Sequence, residues 1–203
     1  MIMRLGILGT GKVAVMLAGA WRKAGHEITL GSRDPSSKSL GFEVVSLADC
    51  VSGADVVVNA IIGSAALETI SAMDADLFAG KTVIDVSNAT TPQFEPTYSD
   101  SSLAARLQEA LPRANVVKSM NTAAMSVVTR ATILPTSSLF LSGDSGEAKR
   151  EAAGLIRDLG WSDEEIVDLG GIETARGPEQ YVVMFATLAR ALKSEAFNIR
   201  LVR

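Results

Sequence analysis

Between a short apolar run and an amphipathic stretch the chain reads Gly9-Thr10-Gly11-Lys12-Val13-Ala14, a G-x-G-x-x-A pattern. The spacing carries meaning only where a strand turns sharply into a helix, and both flanks comply. Arg4 to Leu8 suits a buried strand, and Thr10 to Ala24 sets Val13, Leu17, Ala18, Trp21 and Ala24 at helical spacing before Gly25 closes the helix. The first glycine permits the tight turn and the second lets a pyrophosphate approach the backbone. Ala14 lets helix pack on strand, while the helix N-terminus offers N–H groups and the positive end of its dipole. The pattern points to dinucleotide binding.

The rest of the chain agrees in period. Strands are predicted at Arg4–Leu8, Glu27–Leu30, Glu43–Ser46, Asp55–Ile61, Thr82–Val86, Asn115–Lys118, Leu139–Ser142 and Ile166–Asp168, separated by helical or loop segments. Such alternation predicts an α/β, doubly wound, mostly parallel sheet of Rossmann type. Residues 1–143 are expected to form the nucleotide-binding part. Residues 144–203 are expected to continue the sheet with a small helix-strand annex in one compact unit. In that annex Asp144-Ser145-Gly146-Glu147 predicts a capping box ahead of Ala148, Ala152, Leu155, Ile156 and Leu159. Glu173 to Ala196 carries Tyr181, Met184, Phe185, Leu188 and Leu192 at helical spacing, and Phe197 to Val202 alternates like a strand. The segment Thr90–Ser101, with Pro92 and Pro96, reads as a loop beyond a strand's carboxyl end, where loops carry function.

Composition excludes several classes. Nineteen Lys and Arg against 23 Asp and Glu leave a net charge of -4, no footprint for nucleic acid or an anionic membrane. The longest stretch free of charged residues, Ala131 to Gly143, contains Pro135 and falls short of the roughly 20 apolar residues of a membrane span. His26 and Cys50 are the sole residues of their types, so no His/Cys metal site and no disulfide can form within the chain. His26 precedes the second strand at the edge of the sheet away from the ligand side, where a structural role is expected. The cytoplasm is the expected compartment.

Sequence also distinguishes the nucleotide. About 20 residues past the glycines, an NAD site carries an acidic side chain for the ribose hydroxyls. Here stand Gly31-Ser32-Arg33, and a guanidinium forms charge-assisted bonds to a 2′-phosphate, so NADP is preferred over NAD. Asp34, one residue on, leaves NAD open as the alternative, and Lys38 either adds charge to the phosphate pocket or is solvated. Ala60-Ile61-Ile62-Gly63, Val86-Ser87-Asn88 and Lys118-Ser119-Met120-Asn121-Thr122 lie at later strand ends. Ala60, Ile61 and Ile62 are expected against the cofactor, with Ser87, Asn88, Asn121 and Thr122 orienting the nicotinamide or a second substrate. No catalytic acid or base is assigned: Lys118 reads as an outward-facing strand end. A site of this kind suits hydride transfer to a flat acceptor, since the cofactor carries the chemistry and the protein positions the rings. Two alternatives stand. One is a small-molecule carbonyl or imine reductase drawing an ionisable group from Thr90–Ser101 or from a partner subunit; the other is a non-catalytic NADP-sensing module.

Arg4 to Arg33, Val117-Lys118-Ser119-Met120-Asn121-Thr122 and Phe197-Asn198-Ile199-Arg200 resemble the NADPH-dependent reductases of the deazaflavin coenzyme F420. The resemblance covers nearly the whole chain, with Ala14 at the last glycine position and Ser37, beside Lys38, where the family carries a basic residue. It implies NADP on Thr10 to Val13, Ser32 and Arg33, a homodimer, and direct hydride exchange between nicotinamide and deazaflavin. The same architecture occurs in the reductase domain of the mammalian metalloreductases, for which FMN or FAD is the acceptor implied.

Overall fold

Short, largely apolar runs become the strands of a single sheet in the computed structural model, which describes residues 2–37 and 41–202. The strands are β1 (Arg4–Leu8), β2 (Glu27–Ser32), β3 (Glu43–Ser46), β4 (Val56–Asn59), β5 (Thr82–Asp85), β6 (Asn115–Ser119), β7 (Leu139–Ser142) and β8 (Ile166–Asp168). Their order is β3-β2-β1-β4-β5-β6-β7-β8, parallel throughout except where β7 runs against β6. The chain winds outward from β1 to β3, then returns to place β4 on the other side of β1. That reversal opens a crevice at the carboxyl ends of β1 and β4, where ligands of such sheets collect.

All eight expected strands are present, and β4 is shorter than predicted. Its apolar character continues through Ile61, but the Asn59 carboxamide oxygen accepts the Ile61 N–H at 3.2 Å and turns the chain out of the sheet. Every residue of β4 and β5 is buried, as expected of parallel strands covered on both faces. On one face lie α1 (Lys12–Lys23), α5 (Met125–Val128) and α6 (Gly146–Arg157); on the other lie α2 (Leu47–Gly53), α3 (Gly63–Ser71) and α4 (Leu103–Ala110). Trp21 is fully buried between α1 and α6 and donates its indole N–H to the Leu155 carbonyl at 2.9 Å. Truncating such a side chain costs about 3–5 kcal/mol.

His26 is structural, as expected. It is buried, accepts the Met3 N–H on Nδ1 at 3.3 Å and sets Nε2 3.1 Å from Asp158, which fastens the start of β1 to the end of α6. Two local expectations are corrected. The Ser145 hydroxyl caps α6 by accepting from Ala148 N, while Asp144 is turned away to accept from Ile172 N, so the Asp144–Glu147 box does not form. Phe197 to Val202 is irregular rather than a strand. Ile199 O accepts one bond from Ser138 N, but Asn198 spends its amide on Ser137 Oγ and Ser138 O, and Phe197 stacks on Phe185 with centroids 4.9 Å apart. Side chains bind this tail where a ladder would need repeated backbone pairs.

After a 3-10 turn at Ile172–Ala175 comes α7 (Arg176–Leu192), within the range predicted for the last helix. Its first turn buries Pro178 and Glu179, whereas Val183, Met184 and Leu192 stay 39%, 54% and 57% exposed.

Candidate functional site

The β1–α1 turn shows why its two glycines differ. Gly9 has φ +117, and a Cβ there would lie 2.8 Å from the Ala60 carbonyl oxygen, so strain and the neighbouring strand both demand glycine. A Cβ on Gly11 would meet nothing within 4 Å. The space it would enter lies before the N-terminus of α1, which no side chain caps. Open room ahead of uncapped helical N–H groups fits a phosphate.

This turn forms one wall of a cavity of about 710 Å³ along the crevice. Gly9, Thr10, Gly11, Lys12 and Val13 line it at the centre, Ser32, Arg33 and Asp34 at one end, and Ala60, Ile61, Ile62, Ser87, Asn88 and Asn121 at the other. These are the residues expected from sequence, with two exceptions. Lys38 lies outside the described residues. Thr122 is 2% exposed, lines neither this cavity nor the next, and among the described residues its hydroxyl finds no partner. Ser32 is buried and its hydroxyl accepts the Asp34 N–H at 3.1 Å, which leaves the exposed Arg33 side chain at the cavity edge. Asp34 accepts from Ser36 Oγ at 2.9 Å.

At the opposite end the strand termini are tied to one another. Ser87 Oγ donates to Ile61 O at 2.6 Å, Asn88 Nδ2 donates to Asn121 O at 2.9 Å, and Asn121 Nδ2 donates to Asn88 Oδ1 at 2.9 Å. Gly63 makes this approach possible, since a Cβ there would fall 2.0 Å from Asn88 O. Ile62, 74% exposed, stands at the rim.

A second cavity of about 520 Å³ adjoins the first and shares Lys12, Val13, Asn88, Asn121, Ala123 and Met125 with it. Its far wall is α7, through Val182, Phe185, Ala186 and Ala189, and Phe94 overhangs it from the Thr90–Ser101 segment. Phe94 is 60% exposed at φ +64, held by Thr91, whose carbonyl accepts the Phe94 N–H at 3.0 Å. Sequence reasoning singled out that loop and the α7 apolar face but did not bring them together; only the fold does so. The ionisable residues lining this cavity are Lys12, Arg190 and Glu195.

Lys118 requires a correction. It is not an outward-facing strand end but is fully buried, with Nζ 2.8 Å from Asp85 Oδ2, 2.9 Å from Glu179 Oε1, and donating to Ser87 O. Burial works to lower its pKa, but the charges of Asp85 and Glu179 outweigh it and hold the ammonium above its ordinary value. Local pattern cannot show this burial, because the partner Glu179 comes from a distant part of the chain.

A doubly wound sheet with a G-x-G-x-x-A turn at its switch point defines a Rossmann-type dinucleotide-binding protein. Comparison with known proteins narrows the class. The model of the family "NADP oxidoreductase coenzyme F420-dependent" matches residues 4–89. The crystal structure of a candidate F420-dependent NADP-reductase from Arthrobacter sp. FB24 is 32% identical, with TM-score 0.91 over 99% of this chain and 100% of that one. A hypothetical protein from Sinorhizobium meliloti is 31% identical, with TM-score 0.73 over 89% and 90% of the two chains. The chain belongs to this family of NADP-dependent oxidoreductases. Metalloreductase STEAP3 of Rattus norvegicus is 28% identical over 87% of this chain, which spans 36% of that relative's length. An imine reductase from Pseudomonas sp., 17% identical with TM-score 0.71 over 95% of this chain and 64% of that one, shares the fold.

Proposed function

We propose that the protein transfers hydride between NADPH in the first cavity and a flat deazaflavin, coenzyme F420, or a flavin in the second. The observation that carries this reading is the junction of the two cavities at Asn88 and Asn121, which gives a nicotinamide and an acceptor ring a shared boundary. Gly9 to Val13 hold the pyrophosphate, Ser32 and Arg33, with Lys38, the 2′-phosphate, and Ser87, Asn88 and Asn121 the nicotinamide end. Bound NADPH would supply a hydride with its bonding pair, a two-electron reduction of the acceptor whose proton would come from water, while Asn88 and Asn121 would hold the two rings at their shared boundary. No protein acid is required.

The Thr90–Ser101 segment offers the second cavity the apolar Phe94 rather than an ionisable group, in keeping with a flat ring and against an imine or carbonyl needing a proton from that loop. The reading carries with it a homodimer closed by the exposed face of α7. It also carries a cytoplasmic location, with which the buried free thiol of Cys50 agrees. The test is NADPH oxidation, followed at the reduced-nicotinamide absorbance, with coenzyme F420, FMN and FAD supplied separately. Turnover with F420 alone assigns the deazaflavin, turnover only with FMN or FAD assigns a flavin, and NADPH binding without turnover by any of the three favours a sensing module.

A further inference from the structure

Asn59, Asp85 and Lys118 occupy matching register positions on β4, β5 and β6, one polar residue per strand end, and all three are fully buried. They are joined in series: Asn59 Nδ2 donates to Asp85 Oδ1 at 2.8 Å, and Lys118 Nζ donates to Asp85 Oδ2 at 2.8 Å. The row continues to Glu179 on α7, whose Oε1 lies 2.9 Å from Lys118 Nζ. Glu179 in turn accepts the first two amides of α4, from Leu103 N at 2.7 Å and Ala104 N at 3.1 Å.

The three strand members of the row also each hold a backbone group under the first cavity. Asn59 Oδ1 accepts from Ile61 N, Asp85 Oδ1 accepts from Ser87 N at 3.2 Å, and Lys118 donates to Ser87 O. Ser87 is thus held at both its amide and its carbonyl, and its hydroxyl fixes Ile61 O. Ser87 and Ile61 are floor residues of the cavity, next to the Asn88–Asn121 pair.

Stability is a poor account of this arrangement. Two carboxylates and one ammonium out of water are commonly matched or bettered by apolar residues of similar volume. What an apolar row would lack is directional anchoring of Ile61 and Ser87, and a link from them to the wall of the second cavity.

We infer that Lys118 and Glu179 are positioning residues: through Ser87 they set the floor on which the nicotinamide lies and couple it to the seating of α7. This rests on the nicotinamide placement proposed above, and the test separates the two. Wild-type protein and Glu179→Gln are titrated with NADPH and with 2′,5′-ADP, which carries only the phosphorylated adenine half, and concentrations are normalised to folded protein. The variant keeps the shape of the side chain but loses the charge that faces Lys118 and two amides. The expected result is a Kd for NADPH raised about tenfold, the worth of one hydrogen bond, with the Kd for 2′,5′-ADP changed by less than about twofold. The fluorescence enhancement of the bound reduced nicotinamide falls in parallel.

A variant that melts at lower temperature yet binds both ligands like the wild type overturns the inference and leaves a structural network. Equal weakening of both ligands overturns it as well. If the wild type itself binds NADPH no more tightly than 2′,5′-ADP and shows no enhancement, the nicotinamide placement fails, and the positioning role falls with it. Glu179→Asp, which retains the charge at shorter reach, is measured alongside. It is expected to restore part of the NADPH affinity and serves where the Gln variant does not fold.

Discussion

Asn88 and Asn121 exchange hydrogen bonds across the ends of β5 and β6: the amide of Asn88 reaches the Asn121 backbone carbonyl, and the amide of Asn121 reaches the Asn88 carboxamide oxygen, each at 2.9 Å. Each side chain therefore fixes the other's orientation on the boundary that both cavities share. Asn121→Leu is expected to remove the bond from Asn121 to the Asn88 carboxamide oxygen, leaving Asn88 tied only to the backbone carbonyl of residue 121. Misplacement on the order of 1 Å at a hydride-transfer junction costs up to about 100-fold in rate, so kcat should fall steeply while 2′,5′-ADP binding is unaffected. Single-turnover absorbance with whichever acceptor is active, beside an equilibrium titration, checks the split.

Arg33 is exposed at the end of the first cavity to which the proposed reading assigns the adenine half of the cofactor. A charge-assisted bond to phosphate contributes about 1.5–3 kcal/mol, so Arg33→Ala should raise the Kd for NADPH roughly 10- to 100-fold and leave NADH within about twofold. Fluorescence titration with both nucleotides measures it. Equal losses would show that Arg33 does not read the 2′-phosphate and would return the discrimination to Asp34.

The two motif glycines predict opposite phenotypes. Gly11→Ala adds a methyl that meets no protein atom within 4 Å, so thermal unfolding should be unchanged while NADPH affinity falls, the methyl standing in the pyrophosphate's place. Gly9→Ala forces a Cβ to 2.8 Å from Ala60 O at φ +117 and should destabilise the fold by about 1–3 kcal/mol. Calorimetry and nucleotide titration of the pair separate the roles of the two positions.

The difference between what was and was not legible follows the range of the signal. The sheet could be read because each strand is a local run of Val, Ile and Leu between turn residues, and the first cavity because motif and strand ends follow from the doubly wound topology. Lys118 could not be placed, because its burial depends on Asp85 and on Glu179, which come from separate parts of the chain. Nor could the second cavity, whose walls are α1, the Phe94 turn and α7. Helical spacing in α7 marked an apolar face but not its neighbour. The tail misled in the opposite sense: Phe197 alternates with polar residues as in a strand, but the ring serves Phe185.

Cys50 predicts an alkaline limb of stability. Burial pushes its thiol from 9.0 up to about 12. Because the folded value is raised, the contribution is fully present below the unfolded value near 9 and is lost as pH climbs from there toward about 12, where the folded thiol also ionises. Within that window the unfolded chain gains about 1.4 kcal/mol per pH unit from this group alone. Urea denaturation of wild type and Cys50→Ala at pH 8 and pH 10 should show the variant losing less stability on going alkaline. A thiol reagent at pH 8 should label Cys50 only after unfolding.

The last helix supplies the sharpest statement about assembly. Val183, Met184 and Leu192 are 39%, 54% and 57% exposed on a helix whose buried residues are confined to Pro178 and Glu179 in its first turn. Apolar side chains left to water along a helix fit an interaction surface, and in the homodimer proposed above a second copy of the chain would cover them by two-fold symmetry. Met184→Glu with Leu192→Glu should convert a dimer to a monomer, read by light scattering on a sizing column, with the far-ultraviolet spectrum unchanged. Because α7 also walls the second cavity, the monomeric form should also show a raised KM for the acceptor while its Kd for NADPH stays within about twofold, since a freed helix loosens one wall and leaves the α1 turn and Arg33 in place. A wild-type protein that runs as a monomer would remove the dimer, and with it the reason for these residues to be apolar.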